Sequence, residues 1–298
     1  MLFRSAGNIV VDVLVRPVEG MPPWGTTTMV ESIGQHLGGN GANTSYALGK
    51  LGARVRLAGS VGDDALGEFA LRRLGAAGVD VSEVRVLSGV ETASTVGLIN
   101  GKGERLFLHA LGASGEVEPE QLQLEKAASE GFSHFHFASV FNLPKMRAAG
   151  PAILERARRA GLKTSADTMW DASGRWMEDF AAFCPRLDCL FLNQDEARML
   201  AGTAEPGTVG RFFRECGVVM VVLKMGERGC FVAAPGEEFT EPAVKATVVD
   251  TTGAGDVFCG AFLAGLGRGY ELREAAGFAN QVAARVVGKV GATEGLAG

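Results

Sequence analysis

Short apolar runs of strand length alternate along most of the chain with segments whose apolar residues recur at helical spacing. Val218–Leu223 is apolar throughout, as expected for a central strand of a parallel sheet, whereas the apolar positions of residues 65–77 follow a helical repeat. The same pattern predicts further strands at residues 8–15, 54–58, 134–138, 163–167, 190–192 and 230–233, and further helices at 42–51, 145–160, 194–200, 207–216, 256–267 and 271–287. This alternation indicates an α/β fold with a doubly wound, mostly parallel sheet and helices on both faces. We therefore expect residues 1–298 to form a single domain.

Two stretches, residues 11–36 and 92–110, contain strand-like segments without a helix between them. Within the first stretch, β-branched residues and partial alternation predict a half-exposed strand at Thr26–Ile33. The second stretch reads as a hairpin that turns at residues 101–103. Because neither stretch fits the βα repeat, we expect the two to pair as a small extra sheet that covers the site.

Composition narrows the classes of partner. The chain has 298 residues, of which 47% are hydrophobic and 21% charged, and its formal net charge is −5. Because no basic run occurs, we expect neither nucleic acid nor an anionic membrane as a partner. Asp12 interrupts the apolar run Ile9–Val15, which argues against a signal peptide, and no apolar stretch reaches the ~20 residues of a membrane span. These features predict a soluble, cytoplasmic protein.

The five cysteines and four histidines lack the spacings typical of metal sites or of a disulfide framework. No C-x-x-C occurs, so we expect buried, reduced thiols. We also expect structural roles for the histidines. For His36 and His109, which lie in the two extra stretches, contact with a substrate is the alternative.

A glycine-rich turn at residues 250–256 leads directly into an apolar helix. A helix N-terminus presents backbone N–H groups without intrahelical partners and the positive end of the helix dipole, so it suits an anion such as phosphate. Gly253 and Gly255 lack a Cβ, which lets a ligand approach the backbone closely. Asp256 places a carboxylate beside this anion site, and since a carboxylate repels phosphate, it indicates chemistry rather than simple binding. The alternative is a first-turn acid that only stabilises the helix.

The common phosphate-binding motifs are incomplete in this sequence. No G-x-x-x-x-G-K-[ST] occurs, and both partial dinucleotide fingerprints, at residues 39–44 and 253–258, lack the third glycine. A dehydrogenase is therefore the least expected function.

Two signatures more than two hundred residues apart resemble those of one family. Asp250–Asp256 resembles the D-T-x-G-A-G-D signature of the ribokinase-like (PfkB) carbohydrate kinases, and Gly38–Asn43 resembles their G-G-x-x-x-N signature. Further matches to the family lie at Asn193–Glu196 (N-x-x-E), at Lys224–Gly229 (K-x-G-x-x-G), and at Phe278–Gln281 with Gly291-Ala292. The resemblance covers essentially the whole chain and implies a doubly wound sheet with a small β-lid.

The resemblance implies phosphoryl transfer from ATP to a hydroxyl of a sugar or sugar acid. Asp256 would be the general base, and the backbone N–H groups of Gly253, Ala254 and Gly255 would form an anion hole. The hydroxyls of the small-molecule substrate would be bound by Asp12, Gly39 and Asn43. Plain alternatives are a structural role for Asp12 and a tight turn alone for residues 38–41.

The resemblance also implies a nucleotide and metal side. Asn193 and Glu196 would order Mg²⁺ through water, and Asp250 with Thr252 are candidates for a monovalent cation site such as K⁺. The ATP pocket would be lined by Lys224, Gly226, Gly229 and Asn280. The alternatives are a plain helix N-cap for Asn193, with a structural role for Glu196, and a solvated strand end for Lys224.

The sequence determines the substrate and the oligomeric state less closely than it determines the fold. Arg105 is a candidate contact for an acidic or phosphorylated substrate, although a solvated charge is favoured. A nucleoside kinase and a catalytically idle sugar- or nucleotide-binding protein are the alternatives to a sugar kinase. Because an exposed lid sheet has edges that pair readily, we expect a homodimer through the lid.

Overall fold

A nine-stranded sheet forms the centre of the molecule in the computed structural model, which describes residues 1–296. Its strands, in spatial order, are β13 (Glu237–Glu241), β12 (Cys230–Ala234), β11 (Met220–Lys224), β10 (Cys189–Asn193), β9 (Lys163–Asp167), β8 (His134–Phe137), β1 (Leu2–Ala6), β4 (Arg54–Gly62) and β5 (Val79–Leu87). From β11 to β5 the strands run parallel, whereas β12 pairs antiparallel with both β11 and β13. The carboxyl ends of seven strands therefore meet at one edge, where ligands of such sheets bind.

Helices cover both faces of this sheet. They are α1 (Asn40–Lys50), α2 (Ala65–Ala76), α3 (Leu124–Ser129), α4 (Pro144–Arg159), α5 (Met177–Phe180), α6 (Gln194–Ala201), α7 (Pro206–Glu215), α8 (Ala254–Gly267) and α9 (Leu272–Val286). One hydrophobic core contains residues of α1, α2, α8 and α9, and a second core contains residues of α3 to α7. The predicted doubly wound α/β class is therefore confirmed.

Strands β2 (Val10–Arg16), β3 (Ser32–Gly38), β6 (Ser94–Ile99) and β7 (Arg105–Ala110) form a separate sheet in the order β3-β2-β6-β7, called here the small sheet. The strand predicted at Thr26–Ile33 is wrong, because residues 26–31 form no strand and the pairing with β2 begins at Ser32. Local β propensity at the threonines was overridden because that segment has no partner strand. Met29 in this segment and Trp24 just before it are almost completely exposed.

Close packing of α1 against α8 brings two glycine-rich turns together. A Cβ added at Gly260 would lie only 2.8 Å from the carbonyl oxygen of Thr44, so the two helices touch along their backbones. As predicted from its lack of charge, α8 is buried from Val257 to Gly265. No helix in residues 1–296 has the length and apolar character that crossing a membrane requires.

All five cysteines are free thiols, and four of them are buried. His134 and His136 are buried and share the hydroxyl of Ser165, at 2.7 and 2.8 Å. Burial lowers the pKa of His134 to about 4 and that of His136 to about 3, so both stay neutral. These groups are part of the core.

Candidate active site

Asn43, at the start of α1, lies against Asp256, in the first turn of α8. Asn43 Nδ2 donates to Asp256 Oδ2 at 2.8 Å, and the hydroxyl of Thr44 donates to the carbonyl of Asp256 at 3.2 Å. The other amide atom, Asn43 Oδ1, is buried and has no hydrogen-bond partner among residues 1–296. This oxygen can accept a hydrogen bond from a ligand hydroxyl.

The turn before α8 presents free backbone donors. Gly253 has a φ of +69°, and a Cβ there would lie 2.2 Å from the Cβ of Ala292, so the position requires glycine. In the described part of the chain, neither the N–H of Gly253 nor that of Gly255 donates to a protein acceptor. The N–H of Ala254 makes a long bond, 3.3 Å, to the carbonyl of Thr251. Two free N–H groups at the end of a helix form a site for an anion.

Asp256 is positioned to accept a proton. Burial raises the pKa of its carboxyl group, and Glu196 raises it further, whereas the Asn43 hydrogen bond and the charge of Lys224 oppose this. A carboxylate whose pKa is raised is a stronger base than an ordinary aspartate. These two contacts oppose the effect of burial only in part, so the pKa stays raised overall.

Asp12 faces the site from the small sheet. Asp12 is 8% exposed, and a Cβ added at Gly38 would lie 2.2 Å from Asp12 Oδ2, so the β3 backbone packs directly on it. Burial raises the pKa of Asp12 to about 6, and the charges of Asp256 and Asp250 add to that effect. The charge of Asp256 therefore influences the titration of Asp12, and the two carboxylates belong to one site.

Asp12 belongs to a polar row across the small sheet. In the strand register His36 is opposite Asp12, Asp12 is beside Thr95, and Thr95 is opposite His109. Neighbouring residues in register project from the same face of a sheet, so the four side chains share the face that carries Asp12. Thr95 lowers the pKa of Asp12 against the effect of burial, and its hydroxyl lies 3.1 Å from His109 Nδ1. Thr95 was not predicted, because a single Thr in a strand carries no distinguishing sequence signal.

Asp250 anchors the start of the glycine-rich turn. Its Oδ2 accepts the N–H of Gly291 at 2.9 Å, and its Oδ1 accepts the N–H and the hydroxyl of Thr252 at 2.9 and 2.7 Å. Arg105, from β7, adds an ion pair of 3.0 Å to Oδ1. Arg105 is therefore engaged by the turn rather than solvated as favoured from the sequence.

Lys224, at the end of β11, pairs with the fully buried Asp167 rather than being solvated, and its side chain is 13% exposed. Lys224 Nζ lies 2.7 Å from Asp167 Oδ1, and the thiol of Cys259 lies 3.3 Å from Asp167 Oδ2. Burial would lower the pKa of Lys224, but the charge of Asp167 raises it overall, so the lysine stays protonated. A Cβ added at Gly255 would lie 3.4 Å from Lys224 Nζ, which places this cation at the anion turn.

Asp167 was missed by the sequence reading. It ends β9 as Asn193 ends β10 and Lys224 ends β11, and the three strands are neighbours in the parallel sheet. The available signal was an acid at the carboxyl end of a predicted parallel strand, which is the edge where ligands bind.

Asn193 and Glu196 form a reciprocal capping box at the start of α6. Asn193 Oδ1 accepts the N–H groups of Asp195 and Glu196, and Glu196 Oε2 accepts the N–H of Asn193 and the hydroxyl of Thr168. The Asn193 oxygen is thus used by the helix cap, whereas Glu196 Oε1 makes no hydrogen bond within residues 1–296. No group of three His, Cys, Asp or Glu side chains in those residues suits a metal ion. Glu196 fits Mg²⁺ held through water, as the ion prefers.

Gly229 and Asn280 converge on the strand end at residues 241–243. Asn280 Nδ2 donates to the carbonyls of Glu241 and Pro242 at 3.1 and 3.0 Å. Gly229 has a φ of +86°, and a Cβ there would lie 2.0 Å from the carbonyl oxygen of Glu241. Gly226, also with a positive φ, opens the same turn. A cavity of about 530 Å³, lined in part by Gln281, lies between the 244–249 segment and α9.

Sequence comparison identifies relatives along nearly the whole chain. Residues 5–297 match the family model described as pfkB family carbohydrate kinase. An ATP-dependent ribose-1-phosphate kinase of Halopiger xanaduensis is 32% identical over 288 residues, which cover 97% of this chain and 92% of that protein. A 2-dehydro-3-deoxygluconokinase of Thermoproteus tenax is 30% identical over 270 residues, covering 88% and 82%.

Solved structures share the fold. An E. coli protein assigned as a ribokinase II, solved with ATP and Mg²⁺, superposes with a TM-score of 0.88 at 24% identity, covering 99% of this chain and 95% of that one. The Arabidopsis thaliana ribokinase solved with ribose and ATP gives 0.84 at 23% identity, with the same coverage. The adenosine kinase of Sinorhizobium meliloti gives 0.85 at 25% identity, covering 98% and 95%.

Proposed function

The chain belongs to the pfkB family of carbohydrate kinases, and we propose that it transfers the γ-phosphoryl group of ATP with Asp256 as general base. The acceptor is a hydroxyl of a small sugar or sugar acid. The carrying observation is the placement of a base and an anion site within four consecutive residues, 253–256, at the start of α8. Phosphoryl transfer depends on such positioning and charge compensation.

Asp256 removes the proton of the attacking hydroxyl. Its raised pKa supports this role, and the Asn43 hydrogen bond fixes one carboxylate oxygen so that the other can face the substrate. The free N–H groups of Gly253 and Gly255 stabilise the charge that develops on the transferred phosphoryl group. The ammonium group of Lys224, beside Gly255, adds positive charge at the same point.

The acceptor binds between the Gly38–Asn43 turn and the small sheet. Asp12 accepts hydrogen bonds from substrate hydroxyls, and Asn43 Oδ1 has a free acceptor site. Gly39, whose φ is +87°, gives the turn its shape beside them. The polar row of the small sheet lines the other side of the sugar. The small sheet is therefore the lid of this enzyme, formed by segments at about 11–36 and 92–110 of the single domain.

ATP binds along the carboxyl edge of the large sheet. Gly226, Gly229 and Asn280 shape the nucleoside side, next to the cavity between residues 244–249 and α9. Glu196, oriented by the cap that Asn193 forms, would hold Mg²⁺ through water, and the ion would supply charge neutralisation to the triphosphate. The ATP and Mg²⁺ in the ribokinase II structure support this assignment.

The acceptor class is narrowed by the relatives. Their names include kinases of ribose 1-phosphate, fructose and 2-dehydro-3-deoxygluconate. A nucleoside acceptor is the second candidate, favoured by the similarity to an aminoimidazole riboside kinase and to an adenosine kinase structure. A coupled ADP-release assay across sugars, sugar phosphates, sugar acids and nucleosides tests the proposal. We expect turnover with a sugar-type acceptor, and ATP binding without ADP release across the whole panel would contradict it.

A second copy of the chain covers the outer face of the small sheet in this proposal. Ile33, Leu106 and Leu108 are 67%, 43% and 56% exposed, and their strand register places them on the face opposite Asp12. Exposed apolar strands with free edges favour pairing with another copy. Light scattering should report a dimer, and Leu108→Glu should shift it to a monomer.

A further inference from the structure

The carboxylate of Asp250 is saturated by protein donors. Its side chain is 3% exposed. Oδ1 accepts three hydrogen bonds, from the N–H of Thr252, the hydroxyl of Thr252 and Nη1 of Arg105, and Oδ2 accepts the N–H of Gly291. Burial would raise the pKa of Asp250, but the donors from Gly291, Thr252 and Arg105 lower it overall, so Asp250 is an anion that needs a counter-charge.

Arg105 supplies that counter-charge from a different part of the fold. It lies at the start of β7 in the small sheet, 145 positions before Asp250. Nη1 donates to Asp250 Oδ1 at 3.0 Å and to the hydroxyl of Thr252 at 2.6 Å, and Nη2 donates to the hydroxyl of Thr251. One planar guanidinium thus holds three consecutive side chains, which a spherical ion cannot do with the same geometry.

These residues do not fit a monovalent cation. Such an ion needs oxygen atoms with free lone pairs directed at it, whereas the Asp250 and Thr252 oxygens accept N–H and O–H donors. The site already contains a positive charge, so an ion there would be repelled by Arg105. The monovalent cation site that the sequence suggested at Asp250 and Thr252 is therefore not supported by this arrangement.

We propose that the guanidinium of Arg105 replaces a monovalent cation, as a positioning residue that holds the 250–252 turn in the shape that presents the free N–H groups of Gly253 and Gly255. This inference rests on the proposed role of that turn as the anion site. Because the positive charge belongs to the chain, the kinase needs no K⁺. The same contact joins the small sheet to the catalytic turn.

Exchange of the monovalent cation tests the inference on the unaltered protein. ADP release with the acceptor panel, and the thermal unfolding midpoint, are measured with KCl or with an equal concentration of tetramethylammonium chloride, an ion too large for such a site. We expect the same rate and the same midpoint in both salts. A rate that falls tenfold or more without K⁺, or a midpoint that K⁺ raises, overturns the inference.

Arg105→Met gives the complementary test, with Lys102→Met as the matched control. Lys102 lies in the same hairpin and is exposed, so its loss changes charge without changing the turn. We expect Arg105→Met to lower kcat by about ten- to a hundredfold, the effect of losing charged hydrogen bonds, and to make the remaining rate responsive to K⁺. Lys102→Met should keep the wild-type rate. If Arg105→Met leaves kcat unchanged and raises KM only for anionic acceptors, Arg105 binds substrate and the inference is wrong.

The two proposals fail in different ways. Loss of the Arg105 inference would appear as a K⁺-dependent enzyme that still needs Asp256. Loss of the proposed function would appear as an enzyme whose rate does not depend on Asp256 in either salt.

Discussion

Asn43 and Asp256 lie 213 positions apart in the chain, and a hydrogen bond of 2.8 Å joins the side-chain nitrogen of one to a carboxylate oxygen of the other. The contact exists because Gly260 lets α1 and α8 touch along their backbones. It joins the turn assigned to the acceptor with the turn assigned to the phosphate. The distance between these two turns is thus fixed by helix packing.

Replacing Asn43 by Leu should change the titration of Asp256. The Asn43 hydrogen bond lowers the pKa of Asp256 against the effect of burial, so its loss raises that pKa and moves the acidic limb of the kcat–pH profile to higher pH. We also expect kcat/KM to fall about ten- to a hundredfold. Thr44→Val is the control, because it removes only the 3.2 Å bond to the Asp256 carbonyl. An unshifted pH profile in Asn43→Leu would show that the contact does not control the base.

Two glycines of the anion turn should respond differently to alanine. At Gly253 a Cβ would clash with Ala292 and φ is positive, so Gly253→Ala should lose both stability and activity. At Gly255 a Cβ would make only an ordinary 3.4 Å contact with Lys224, so Gly255→Ala should stay folded while the methyl group obstructs the phosphate. Urea unfolding and ADP release separate the two effects. Gly75→Ala, in an open helix position, is the control and should stabilise by roughly 0.5–1 kcal/mol. Full activity in Gly255→Ala would argue against an anion hole here.

The ion pair of Lys224 and Asp167 should behave as a buried pair. Lys224→Met leaves Asp167, which is fully buried, without its partner, and we expect a loss of about 3–5 kcal/mol in the free energy of unfolding. The double variant Lys224→Met/Asp167→Leu should recover most of that loss, because no uncompensated charge remains. Lys163→Met is the control, since its pair with Asp188 is exposed and should contribute within about 0.5 kcal/mol. If Lys224 were solvated, Lys224→Met would instead change the free energy of unfolding as little as Lys163→Met does.

Acceptor binding should weaken as the pH falls through the pKa of Asp12, which burial raises to about 6. Ionised Asp12 accepts hydrogen bonds from hydroxyls with both oxygens, and protonation removes part of that capacity, so KM should rise below about pH 6 while ATP affinity stays constant. Asp12→Asn should have a high KM without this inflection. The same raised pKa means that ionised Asp12 costs folding free energy above about pH 6, so Asp12→Asn should be more stable at neutral pH. Equal stability of the two proteins would contradict that sign.

The strands and helices that alternate were predictable because their apolar runs face two buried layers. Strand β1 was missed because Arg4 interrupts its apolar pattern, although that arginine is fully buried and paired with Glu83. Strand β5 was also missed, since an edge strand needs only one buried face and carries many polar residues. At Thr26–Ile33 the error was the reverse: a strand was predicted from local propensity, but residues 26–31 have no partner strand and form none. Whether such a segment forms a strand depends on pairing with a segment far away in the sequence, and a local pattern carries no information about that pairing.

The part of the candidate site that is formed by one continuous segment of backbone was predictable from the sequence. Gly253, Gly255 and Asp256 follow one another in the sequence, so their chemistry was visible as a motif. The contacts of Lys224 with Asp167 and of Arg105 with Asp250 join residues 57 and 145 positions apart, and neither pair has a spacing that a sequence pattern records. Such contacts depend on the register of the strands that carry them.

Asp256→Asn tests the central claim most directly. The substitution keeps the shape of the side chain and removes the basic oxygen, so kcat should fall by about 10²–10⁴-fold while the affinity for ATP, measured by calorimetry, stays near that of the wild type. A kcat close to the wild-type value, with the same acceptor and unchanged ATP affinity, would show that Asp256 is not the base.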